Sequence, residues 1–147
     1  MPFDTTVLIR MGTAAGYEGL VTTTQNTITL GSFGTYPNGI ILQLIDFHSY
    51  QSSNNQYLYL RVDNVHTNTI QPTSSNTAQY LKFFAPKSTA DSATLGFVFK
   101  ATETPSKPIV VPGFSNSTLT LTVLTDGDLA PAVAAGAWTV KIRIVGY

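Results

Sequence analysis

A chain of 147 residues without cysteine fits one domain, and the missing thiols exclude a disulfide framework and thiolate metal sites. Only 11% of its residues are charged, against about 25% in ordinary soluble domains, and eight basic side chains balance eight acidic ones. With the basic residues scattered, as at Arg10, Lys82, Lys87, Lys100, Lys107 and Lys141, no arm or stripe can neutralise a row of phosphates, so nucleic acid is not an expected partner.

Thr, Ser, Asn and Gln stand where charges would be, giving a neutral, wettable surface that loses little side-chain entropy on packing. The start, Met1-Pro2-Phe3-Asp4, has no basic region followed by an apolar run, and no apolar stretch reaches bilayer length. Neither a signal peptide nor membrane insertion is expected.

Along the chain, apolar residues alternate instead of recurring at three and four, which is the pattern of half-buried strands. Thr-rich and aromatic segments at residues 5–11 and 20–30 read as strands, separated by Gly12 and Gly16. The turn Tyr36-Pro37-Asn38-Gly39 leads into residues 39–48, where Ile40, Ile41, Leu42, Leu44, Ile45 and Phe47 run almost without interruption. That run predicts a strand covered on both faces. After Ser52-Ser53-Asn54-Asn55, residues 57–62 alternate again, with Leu58, Leu60 and Val62 opposing Tyr57, Tyr59 and Arg61.

A polar turn at Pro72 to Asn76 precedes further strands at residues 79–85 and 95–100. Residues 101–116, with Pro105, Pro108 and Pro112, read as an extended crossing loop. Residues 117–124 alternate cleanly: Leu119, Leu121 and Val123 face one way, and Thr118, Thr120 and Thr122 the other. The turn Asp126-Gly127-Asp128 and the Ala-rich segment Ala130 to Ala137, with room for one helical turn, lead to the last strand. There Trp138, Val140, Ile142 and Ile144 oppose Thr139, Lys141 and Arg143. Leu119, Leu121, Val123, Trp138, Val140, Ile142 and Ile144 are the expected core. About eight strands punctuated by turns predict an all-β fold over residues 1–147: an antiparallel eight-stranded sandwich or jelly roll of two four-stranded sheets.

No constellation of side chains carries chemistry strongly. Asp46 and His48 share a strand face, and His66 is the second histidine, but a metal site needs three or four ligands with fixed supports. Asp126-Gly127-Asp128 lacks the remaining oxygen ligands of a calcium loop and reads as a hairpin turn. There is no Gly-x-Ser-x-Gly elbow, and the few acidic residues, such as Asp91 and Asp126, sit in turn-like contexts. The expectation is a protein that is not an enzyme and has no catalytic, cofactor-binding or metal-binding residues. Asn116-Ser117-Thr118 is the one acceptor pattern for N-glycosylation. Tyr57 and Tyr59 are the aromatic candidates for an interface, whereas Trp138 belongs with the core face of its strand.

The segment Leu119 to Leu124, the Asp126-Gly127-Asp128 turn, the Ala/Pro loop and the Trp138 to Ile144 strand together resemble the closing hairpin of single jelly-roll capsid proteins. The stretch Tyr57-Leu58-Tyr59-Leu60-Arg61-Val62-Asp63-Asn64 resembles a strand in the middle of those proteins. The resemblance, which lies in strand order and turn placement, is to penton and minor capsid proteins of large icosahedral double-stranded DNA viruses. It implies a virion protein that assembles as a homopentamer at capsid vertices and contacts neighbouring capsid proteins. In such a fold the loops at residues 12–19, 49–55, 86–93 and 126–136 share one end, and those at 31–38, 64–78 and 101–116 the other. The competing expectations are a carbohydrate- or receptor-binding sandwich, lectin-like or at a viral fibre tip, and a trimeric sandwich of the tumour-necrosis-factor or complement type.

Overall fold

The computed structural model describes residues 1–11, 25–49, 57–70, 78–86, 97–100, 107–124 and 138–147. They form nine strands: β1 (Phe3–Met11), β2 (Gln25–Thr29), β3 (Gly39–Ser49), β4 (Tyr57–Ile70), β5 (Ala78–Pro86), β6 (Phe97–Lys100), β7 (Ile109–Pro112), β8 (Thr118–Leu124) and β9 (Trp138–Gly146). Among the described residues the only helical element is a single 3-10 turn, Leu30–Ser32. All strand pairs are antiparallel. One sheet runs β1-β9-β3 and ends on β6 and β7; the other runs β2-β8-β4-β5.

β6 and β7 pair with different halves of β3, β7 against Gly39 to Leu42 and β6 against Asp46 to Ser49. They therefore fill one position at the sheet edge, and nine strands occupy four positions in each sheet. β7 lies inside the segment read from sequence as a crossing loop. Its Ile-Val-Val run is bracketed by Pro108 and Pro112, and a strand so bracketed is tolerated at an edge, where its outer N–H groups need no partner.

The inner faces of the two sheets meet in one cluster. β3 contributes Ile40, Leu42, Leu44 and Phe47, β9 contributes Val140, Ile142 and Ile144, and β1 contributes Ile9. From the other sheet come Leu60 and Val62 of β4, Leu119 and Leu121 of β8, Ile28 of β2, and Leu81, Phe83 and Ala85 of β5. The architecture is a β-sandwich, built because strands of period two present one apolar face each. The expected core residues Leu119, Leu121, Val140, Ile142 and Ile144 are all buried. The side chains of Val123 and Trp138 lie outside what the structure describes.

Two strands depart from the sequence reading for the same reason. In β3 the register against β9 shifts between Leu44 and Asp46. This bulge moves the inward phase from Leu44 to Phe47, so the continuous apolar run is two alternating halves joined out of step. Ile41 and Ile45, on the outward side, are half-buried. β4 continues to Ile70, past the expected end at Val62, but its pairing with β5 shifts twice, after Val62 and after His66. Extra residues at these bulges erase the alternation that sequence reading depends on.

Candidate functional site

Among the described residues, hydrogen bonds outside the strand ladders concentrate at the end of the sandwich where residues 30–38 and 113–117 cross between the sheets. The Leu30 amide donates to Ser117 O (2.9 Å), and the Gly113 amide to Asn38 O (2.8 Å), so the two crossings hold each other. Both ends of the chain join them. The Thr35 amide donates to Met1 O (2.9 Å), the Met1 ammonium to Thr35 Oγ1 (2.7 Å), and the Asn38 amide to Tyr147 O (2.8 Å). Gly34, at φ +154°, lies so close to Met1 that a Cβ would collide with its carbonyl oxygen, which explains glycine there.

An aromatic chain underlies this end. Phe3 packs against Phe33 (ring centroids 5.8 Å apart) and edge-on against Tyr36 (6.1 Å), and Tyr36 continues to Phe114 (6.3 Å). Tyr36 Oη donates to Asn116 O at 2.8 Å, which fixes its ring. Above the rings lies a groove of about 490 Å³ lined by Gly31, Gly34, Thr35, Tyr36, Pro37, Gly113, Phe114 and Ser115. Its lining offers the half-buried Tyr36 ring, backed by the buried Phe114, and the hydroxyls of Thr35 and Ser115 but no charged side chain, so it suits neutral ligands with an apolar face. By sequence Tyr36 belongs to a turn and Phe114 to a crossing loop, and neither is marked as a site. The available signal was three aromatics, Phe33, Tyr36 and Phe114, inside segments otherwise composed of turn residues.

The outer face of the β2-β8-β4-β5 sheet is rich in hydroxyls. Thr27 lies opposite Thr120, and Thr29 opposite Thr118; the Thr27 and Thr120 hydroxyls are 3.2 Å apart. The β4–β8 ladder stops at Val62–Leu121, where β4 begins to bulge. Asn64 replaces the missing rungs: its Nδ2 donates to Thr118 O (2.6 Å), and its Oδ1 accepts from the Thr120 amide (3.3 Å). A primary amide presents the donor–acceptor pair of a peptide group, so it serves as a surrogate strand residue.

On the outer face of the other sheet, Arg143 grips Asp4 through Nε to Oδ1 (2.9 Å) and Nη2 to Oδ2 (2.5 Å). The hydrogen bond from Arg143 holds the Asp4 carboxyl below the ordinary carboxylate range, and the same contact raises the guanidinium. With the side chains 44% and 53% exposed, water screens this pair.

The residues weighed from sequence do not meet in one place. Asp46 and His48 lie on β3, Asp46 in register with Lys100 and Lys141, and His48 with Val98 and Thr139. His66 is on β4 in the other sheet, opposite Tyr80. Among the described residues no three His, Asp or Glu side chains gather in metal-binding geometry. Tyr57 and Tyr59 pair with Pro86 and Phe84 across the β4–β5 ladder, but their side chains lie outside what is described. Asp91, the Asp126-Gly127-Asp128 turn, the segment Ala130 to Ala137, and most of the loop set at 12–19, 49–55, 86–93 and 126–136 also lie outside the described residues. Asn116 and Ser117 are exposed just before β8. Among the described residues no helix is long and apolar enough to cross a membrane. Compared with known proteins, the chain matches no family model and no curated protein.

Proposed function

We propose that the sandwich is a jelly roll and that the protein is a capsid building block, a homopentameric penton or minor capsid protein of the virion. The observation that carries the reading is the nesting of strand pairs. With β6 and β7 counted as one position, the chain makes eight positions, and the first pairs with the eighth, the second with the seventh, the third with the sixth and the fourth with the fifth. An antiparallel ribbon folded once and then rolled produces this nesting, with the additional contacts β9–β3 and β8–β4 closing each sheet.

Assembly fits the surface. Like charges rarely face each other in a chain with 11% charged residues, so copies can crowd around an axis. The strand ends Met11, Trp138, Ser49 and Phe97 lie side by side in register at one end of that sheet. That end would ring the five-fold axis, and the opposite end would face neighbouring shell proteins. Zero net charge and dispersed Lys and Arg leave the genome uncontacted. Native mass spectrometry of the purified protein tests the reading: a five-copy species supports it, and a strict monomer or a trimer refutes it.

The groove beside Tyr36 and Phe114 favours a second reading, a carbohydrate-binding module. Aromatic rings flanked by hydroxyls from Thr35 and Ser115 suit the apolar face and edge of a sugar. A monomer that binds a glycan, and loses it on Tyr36→Ala, would select this alternative.

A further inference from the structure

Among the described residues β1 presents an unguarded sheet edge. It pairs with β9 through nine successive residues without a register shift, and among the described residues nothing pairs with its other side. The remaining edges carry the usual protections. β6 and β7 have four residues each, β2 has five, β7 is bracketed by proline, and β5 follows a twice-bulged partner. Short, proline-bearing or bulged edges resist pairing with other chains, whereas a long regular edge is a template for it. β1 has nine residues, no proline, no lysine and no bulge, and it leaves Leu8 53% exposed on its outer face.

We propose that this edge takes a second copy of the same chain, pairing β1 with β1 antiparallel about a two-fold axis at Val7. The sequence of β1 is complementary to itself in this register. Asp4 falls opposite Arg10 of the second copy, and the symmetry makes that pair twice. Thr6 falls opposite Leu8 on the outer face, Thr5 opposite Ile9 on the inner face, and Phe3 in register with Met11.

Other registers fail. Antiparallel neighbours must share a sheet face, so a shift by one residue would set the inner positions against the outer ones. A change that moves Asp4 opposite Leu8 sends Arg10 to Pro2, and the opposite change sends Asp4 to Gly12 and Arg10 to Thr6. Parallel in-register pairing stacks Asp4 on Asp4 and Arg10 on Arg10, which is repulsive. The grip of Arg143 on Asp4 is compatible with the contact, because a carboxylate has acceptor sites for more than one donor group. The contact is independent of the proposed five-fold ring, since it joins two copies whether each stands alone or within a ring.

The chain has no cysteine, so introduced thiols report the register without background. Thr6→Cys and Leu8→Cys change exposed positions and leave the core intact. Directly opposite strand residues lie within disulfide reach, and diagonal ones do not. Mixing the two single variants under mild oxidation should yield a crosslinked dimer on a non-reducing gel, with little from either alone. Val7→Cys should crosslink with itself. Adding Arg10→Asp to these backgrounds should lower the yield roughly tenfold, because it places like charges opposite each other twice. Restoring opposite charges with Asp4→Arg in the same chain should recover it. Equal crosslinking of mixed and unmixed variants, or yields indifferent to Arg10→Asp, would overturn the proposal. A native mass of five copies without these crosslinks would overturn it and leave the capsid reading standing.

Discussion

Replacing Asn64 by Ala removes the side chain that bridges β4 to β8 where their ladder ends. Two β8 backbone groups lose their partner: Thr118 O, held at 2.6 Å, and the Thr120 amide, held at 3.3 Å. An orphaned buried polar group costs about 1–3 kcal/mol, and Asn64 is only half-buried, so water recovers part of the loss. The short bond to Thr118 O should dominate, giving a total of about 2 kcal/mol. Equilibrium urea unfolding, followed by far-ultraviolet circular dichroism, measures it. Asn64→Asp separates the two bonds. It keeps an acceptor for the Thr120 amide but sets a carboxylate oxygen against Thr118 O. That repulsion raises the carboxyl pKa in the folded state, so Asn64→Asp should be weakened at neutral pH. Its stability relative to wild type should improve as pH falls through the raised folded value toward the unfolded value of about 3.9, where the protonated acid can donate. If Asn64→Ala stays within about 0.5 kcal/mol of wild type, the side chain is not acting as a surrogate rung.

Leu42→Ala, at a fully buried site in register with Ile144 and Ile109, should lower stability by about 2–5 kcal/mol in the same assay. Gly39→Ala should cost at least about 1–3 kcal/mol, because φ +134° is closed to other residues and the added Cβ would strike the Val111 carbonyl oxygen. Asp4→Asn should change neutral-pH stability little while flattening the acid limb of the stability–pH profile. The Asp4 carboxyl is held low in the folded protein, so its contribution is present above the unfolded value of about 3.9 and lost as pH falls through the folded one. Thermal melts across pH 2 to 6, a range set by those ordinary carboxylate values, check the sign: steeper acid loss in Asp4→Asn than in wild type would refute it.

Regular alternation made β8 and β9 legible, since Leu119 and Leu121, or Val140, Ile142 and Ile144, can be inward only if their neighbours are outward. The bulge in β3 is invisible to the same logic: an extra residue at the Ile45 turnover produces an unbroken apolar run, which reads as a strand covered on both sides. β7 was hidden by its prolines, which argue against a strand unless the strand is known to lie at an edge. Nothing in the one-dimensional string marks Asn64 as a cross-strand bridge, because its role depends on where two ladders part. The groove at Tyr36 and Phe114 joins residues nearly eighty positions apart, brought together by the β3–β7 pairing and by the hydrogen bonds between the two crossings.

The sparse charge and the open β1 edge bear on one question. A protein near zero net charge has little electrostatic repulsion to keep copies apart. Such a chain, living as a monomer, needs every sheet edge guarded, and β2, β6 and β7 are guarded by brevity or proline. Among the described residues β1 is the longest regular edge left without a guard, which makes sense if it takes the second copy proposed above. The two charges on β1, Asp4 and Arg10, are placed so that antiparallel self-pairing joins opposite signs while parallel stacking joins like ones. They act less as a barrier to association than as a filter on its geometry. A carbohydrate-binding monomer gains nothing from that arrangement, whereas a protein built to meet copies of itself does.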